Sequence, residues 1–236
     1  MDEEYHMSEE ERINLEIEKE EKRKKGKKIA LIILFVLLGI AVVFIVLTIL
    51  TESQMQVRKP VLYLYPETRI EVSVELDFSG KLMTTYPKYS DGWIVTAEPD
   101  GTITDTENQI YNYLYWEGLS DVKYDMSEGF CIKGSDTAEF LEYALSELGL
   151  TRREANEFIV YWLPFMEGNE YNVISFQKET YTDDAKLKIN PCPDTIIRVF
   201  MAWYGSGKPV EMKEQELTAP ERRGFTVVEW GGSEIR

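Results

Sequence analysis

The sequence predicts a strand-dominated α+β domain with two short central helices, carried behind a single N-terminal transmembrane helix. Three observations point there. Ile29 to Leu50 is a run of 22 residues without a charge. Beyond it, short apolar or alternating segments recur between Gly, Pro and Asp-Gly turn signals. Between Asp136 and Leu163, helix-start pairs and 3.6-period apolar positions replace the alternation.

The apolar run comes first. At about 1.5 Å per residue it makes a helix of roughly 33 Å, enough for a hydrocarbon core of about 30 Å. Lys22, Arg23, Lys24, Lys25, Lys27 and Lys28 stand directly before it, and no basic residue follows until Arg58. The positive-inside rule therefore places residues 1–28 in the cytoplasm and the C-terminal part outside. A cleaved signal peptide would need a shorter apolar core and a small-x-small site, and Thr51-Glu52-Ser53 offers none. An uncleaved signal anchor is expected, with the lipid bilayer as its partner and the basic block drawn to anionic headgroups. The tail holds ten acids between Asp2 and Glu21, with only Ile13, Leu15 and Ile17 as aliphatic residues. It is expected to be a charged, frayed helix or disordered.

The expected organisation is a tail at 1–28, the span at 29–50, a stalk at 51–58 and an extracytoplasmic domain at 59–236. Within the last, Val61–Tyr65 reads as a strand closed by Pro66. Ile70 to Phe78 alternates strictly and ends before Gly80. Trp93–Ala97 follows Asp91-Gly92, and Tyr111–Trp116 is a strand stopped at Gly118. Asp136 with Glu139 has capping-box spacing for a helix whose face is Phe140, Leu141, Ala144, Leu145 and Leu148, ended by Gly149. Thr151 with Glu154 repeats the pattern for a second, short helix. Phe158–Leu163 fits a strand or a continued helical face; the strand is preferred, joined through Gly168-Asn169 to Val173–Phe176. Ile196–Trp203 and Phe225–Trp230 are the last strands.

The outer domain holds 31 acids against 17 basic residues, a net charge near −14, which argues against a nucleic-acid partner. It holds 26 of the 29 aromatics, most of them expected in the core. The chain's one histidine, His6, lies in the tail, so the outer domain is excluded from Ser-His-Asp and Cys-His catalysis and from His-containing zinc sites. Cys131 and Cys192 are open to a disulfide or to free thiols.

The blocks Lys59–Pro66, Tyr113–Gly118, Tyr161–Pro164 and Glu229–Gly232 resemble those of an uncharacterised microbial family with a K-P-V-x-Y-L-Y-P opening, a Y-W-L-P block and an E-W-G-G close. The resemblance spans the outer domain. It implies a common fold and carries no activity, cofactor or catalytic residue.

Two functions follow as expectations. The first is a non-catalytic binding module, with Trp116, Trp230 and Arg198 as candidate binding residues and an envelope polymer or protein as partner. The alternative is a glycan hydrolase using Glu117 and Glu229, whose carboxyls would then lie roughly 5–9.5 Å apart in one cleft. Against it stands an ion pair between Arg198 and one of these glutamates. Glu179, Asp183 and Asp184 are read as a solvated acidic loop before a calcium site, because the D-x-D-x-D-G spacing is missing. Gly205-Ser206-Gly207-Lys208 lacks the first glycine and final Ser/Thr of a phosphate loop. Ser120/Lys123 and Ser175/Lys178 have S-x-x-K spacing but fall outside helices, where residues three apart point to opposite faces. No metal or cofactor is expected.

Overall fold

A computed structural model describes residues 9–50 and 55–235, and their side chains in 18–43 and 55–235. The chain divides into two units, Met1–Glu52 and Ser53–Arg236.

The first unit is one helix, α1 (Glu9–Leu50), long and apolar enough from Glu18 to Val43 to cross a membrane. Its aliphatic side chains from Ile29 to Val43 are exposed throughout, so no protein core covers them. The charged segment before the span is helical from Glu9, supported by Glu18–Lys22 and Glu20–Lys24 pairs one turn apart. His6 and the first part of the tail lie outside the described residues.

The second unit is α+β and has three layers. A seven-stranded sheet runs β3 (Lys81–Tyr86), β7 (Leu114–Ser120), β1 (Met55–Tyr65), β12 (Thr226–Glu234), β11 (Thr195–Ser206), β9 (Tyr171–Gln177) and β8 (Phe130–Lys133). Only β11 and β12 are parallel; the other pairs are antiparallel. A five-stranded sheet runs β10 (Ala185–Asn190), β2 (Ile70–Phe78), β4 (Trp93–Ala97), β5 (Ile103–Asp105) and β6 (Ile110–Tyr111). It packs on one face of the large sheet, and helices α2 (Thr137–Glu147) and α3 (Arg152–Met166) pack on the other. A short α4 (Glu179–Asp184) leads from β9 into β10.

This layering explains two sequence patterns. Strand β1 is covered on both faces, so Val61, Leu62, Tyr63 and Leu64 are all buried and read as an unbroken apolar run. Strand β2 has one face toward the inter-sheet core, with Val72 and Val74 buried, and so alternates.

Four expectations are corrected. Phe158–Leu163 is helix, not strand. The Thr151–Glu154 capping box forms, and Ala155, Phe158, Trp162 and Met166 then bury one continuous face. Pro164 falls in the last turn, so the turn at Gly168-Asn169 joins a helix to β9. At α2 the Asp136 side chain makes no cap; a 3-10 turn, Gly134–Asp136, precedes the helix and Asp136 accepts from Ser135 Oγ. Gly118 does not stop its strand but lies inside β7, where a Cβ would come within 2.3 Å of the Phe78 ring. Glycine there allows a close approach. Met55–Arg58, expected as the end of a stalk, already belong to β1 with Val57 fully buried, and 51–54 lie outside the described residues.

Candidate functional site

The sheet separates the two carboxylates of the hydrolase reading. Glu229 shares the inter-sheet face with Leu62, Leu114 and Trp116, whereas Tyr115 lies in register with Val61 and Trp230 on the helix-covered face. Glu117, two residues from Tyr115 in β7, is on that second face. The two carboxylates therefore address opposite sides of one sheet and cannot flank one sugar bond.

Glu229 is instead held as a buried ion pair. Its Oε2 accepts from Arg198 Nε at 2.7 Å, its Oε1 accepts from Trp116 Nε1 at 3.2 Å, and its side chain is 0% exposed. Arg198 also donates from Nη2 to the Ala185 carbonyl, tying β11 to the smaller sheet, and its guanidinium lies 4.7 Å from the Tyr181 ring centre. Burial acts to lower the Arg198 pKa, but the Glu229 carboxylate outweighs it and holds the guanidinium above its usual range. Trp116 and Trp230 are buried in the two separate cores. Of the residues expected to bind, Trp116 and Trp230 thus present no indole at the surface, since both are sealed inside, and Arg198 is occupied by Glu229.

The other singled-out residues also resolve. Cys131 and Cys192 are free. Cys131 sits in the outermost strand β8, where its Sγ accepts from the Val210 N–H, and Cys192 is exposed in the turn between β10 and β11. Among the described residues no group of three acids, histidines or cysteines gathers as metal ligands. Glu179 and Asp183 are exposed while Asp184 is buried, where burial raises its pKa. Ser175 and Lys178 both line a polar cleft of about 310 Å3, but the serine hydroxyl donates to the Asp125 carbonyl and accepts from Gln177. Ser120 is buried and its hydroxyl accepts from the Val122 N–H.

A different constellation assembles around Lys59. Against β12, the register of β1 moves from Arg58↔Gly232 to Val61↔Trp230; against β7 it moves from Val57↔Gly118 to Val61↔Tyr115. Each comparison leaves β1 one residue in excess, a β-bulge. Lys59 takes φ 58°, a left-handed conformation unusual for a side chain with a Cβ. Its N–H donates to Glu117 Oε1 at 3.1 Å. Its ammonium lies 5.1, 5.3 and 5.8 Å from the ring centres of Tyr113, Tyr115 and Tyr161, and 3.5 Å from the Tyr113 hydroxyl. Each such cation–ring contact contributes about 0.5–1 kcal/mol when partly exposed.

Glycines make the bulge fit. A Cβ on Gly231 would stand 3.1 Å from Pro60, and one on Gly232 would stand 2.7 Å from the Trp162 ring. Trp162 in turn seats α3 so that Tyr161 reaches Lys59. All four sequence blocks that carry the family resemblance therefore meet at one place. The tyrosines continue beyond it: Tyr113 meets Tyr63 edge-on at 5.3 Å, and Tyr63 stacks on Tyr65 at 6.0 Å. Tyr113, Tyr115 and Tyr161 keep part of their surface in solvent. Burial first, and then the Glu117 charge, raises the pKa of Tyr115 and Tyr161, so both remain neutral hydroxyl donors.

Sequence reasoning missed this cluster although each block was visible, because a bulge that turns Lys59 toward the tyrosines leaves no periodic signal. No family model matches the chain, and no solved structure matches it. Over 63 residues it is 51% identical to a protein of Butyrivibrio fibrisolvens described as "Uncharacterized protein in bglA 3'region"; the match covers 25% of this chain and 65% of that protein, just under two-thirds of the relative's length.

Proposed function

We propose that this chain is a single-pass membrane protein whose C-terminal domain is displayed outside the membrane as a non-catalytic binding module, with the tyrosine-lined surface around Lys59 as its binding face. The apolar helix supplies the anchor, and the basic block before it supports a cytoplasmic N-terminus. One observation carries the binding role. Tyr113, Tyr115 and Tyr161 surround a cation at the surface, with the Glu117 carboxylate alongside.

Such a face offers ring surfaces, neutral phenol donors, an ammonium and a carboxylate within one small area. That mixture suits a neutral or zwitterionic envelope polymer, whose sugar faces stack on rings while its hydroxyls and amides hydrogen-bond. The domain's net negative charge works against a strongly anionic polymer.

The test is co-sedimentation of the full chain, held in detergent micelles, with insoluble cell-wall polysaccharide. Tyr113→Ala and Tyr161→Ala are each expected to weaken retention about tenfold, as loss of a central aromatic contact does. Lys59→Gly removes the ammonium and its ring contacts while relaxing the left-handed backbone, which offsets part of that loss, so it should weaken retention with only a small fall in melting temperature. Retention that is unchanged in all three variants would remove this face from the function.

A further inference from the structure

We infer that the structure holds a second binding site, independent of the tyrosine surface: an open stretch of sheet edge on β11 that accepts an extended, basic peptide as an added strand. The observation is a mismatch in strand length. Strand β11 pairs with β12 from Thr195 to Trp203, but its ladder with β9 begins only at Phe200↔Gln177. After Gln177 the chain leaves the sheet at Lys178 and enters α4. Residues Thr195–Val199 therefore have a neighbour strand on one side only.

The polarity of that edge follows from the ladder. Thr195 N donates to Phe225 O, and Trp203 O accepts from Ile235 N, so the odd-numbered residues of β11 turn their peptide groups toward β12. The even-numbered ones turn theirs the other way, and Ile196 and Arg198 point their N–H and C=O where β9 would have continued. Among the described residues neither backbone group has a hydrogen-bond partner on that side. The corresponding gap on the other flank of β9 is filled: Gln215 bonds both the N–H and the C=O of Phe176 through its side-chain amide. No side chain does the same for β11.

The space beside this edge is a cleft of about 330 Å3. Its walls are Ile196–Val199, Phe176, α4 residue Thr182 and the extended segment from Gln215 to Pro220. That segment is tied at both ends, by Gln215 to β9 and by Arg222 to Glu154 and the Gly149 carbonyl. Ile196 is 42% exposed at the mouth, an apolar side chain for an incoming strand to cover. Unpaired main-chain groups give a peptide its affinity in this mode, and flanking side chains give its selectivity.

Charge selects the occupant. The exposed Glu179 and Glu216 line the cleft and Asp183 lies one turn beyond on α4, while Arg198 is already neutralised by Glu229. Lys178 is the one basic side chain lining the cleft that is not so engaged. An extended peptide that alternates β-branched with basic residues complements both the edge and its rim.

The test uses the full chain in detergent micelles and two sets of fluorescent heptapeptides. One set alternates valine or threonine with lysine; the other carries glutamate in place of lysine. Fluorescence anisotropy should show binding of the lysine set only, and amide exchange at Ile196 and Arg198 should slow when it binds. Glu179→Lys with Glu216→Lys should weaken that binding at least about tenfold through rim charge alone. Ile196→Pro removes the outward N–H without touching the β12 ladder and should abolish it; should that variant fail to fold, the charge reversal and the exchange data decide. Equal binding of both sets, or binding with no protection at Ile196 and Arg198, would overturn the site.

Discussion

At the residue scale, the charged groups of the domain's interior are structural, and their energetics say so. Glu229 is wholly buried, and its two oxygens are satisfied by Arg198 and Trp116. Removing one partner of a buried pair leaves the other charge unpaired in a medium that solvates it poorly. Glu229→Ala should therefore cost about 3–5 kcal/mol, read from the urea midpoint. Replacing both members by apolar residues removes the desolvation penalty together with the attraction. Arg198→Met combined with Glu229→Met should recover most of that loss. Additive losses in the double variant would show that the two side chains act separately. The pairing itself was legible, since Arg198 stands at a position flanked by apolar residues at period two. The face was not: alternation tells which residues share a side of one strand, but it leaves open which side of the sheet that is. For that reason Glu117 and Glu229 looked equivalent in sequence and lie on opposite faces in the fold.

At the scale of the element, α3 shows why one segment could be misread. Phe158, Trp162 and Met166 satisfy a helical period, while the apolar stretch Phe158–Leu163 taken alone fits a strand equally well. What decides is the start. Thr151 accepts from the Glu154 N–H and Glu154 accepts from the Thr151 N–H, closing the cap and fixing the helical phase for everything after it. Glu154 is also fully buried and paired with Arg222, which anchors the segment after β11. The two halves of the box should then differ in cost. Thr151→Ala loses a cap alone, about 1 kcal/mol. Glu154→Ala loses the cap and leaves Arg222 without its partner, about 3 kcal/mol or more. Equal shifts in thermal midpoint would mean that the Arg222 contact contributes nothing. The bulge in β1 was illegible for the opposite reason: it adds one residue without changing any periodic position, and only the neighbouring strands reveal it.

At the scale of the whole molecule, the apolar helix and the C-terminal domain are distinct units, and the proposed function depends on how a membrane would orient them. The basic residues cluster on one flank of the apolar helix, which supports the proposed orientation with the C-terminal domain outside. The cysteines offer a direct reading of this. Both lie in the C-terminal domain, both are free, and Cys192 is exposed while Cys131 is half-buried with its sulfur engaged by Val210. A membrane-impermeant maleimide added to intact cells should therefore label the chain, and Cys192→Ser should remove most of that label. Labelling only after the membrane is opened would reverse the orientation and, with it, the proposal of an envelope ligand. Labelling absent in both conditions, yet restored by a reductant, would instead show that the two sulfurs are bonded. The same thiol thus separates an error in topology from an error in the fold, because each changes a different arm of one experiment.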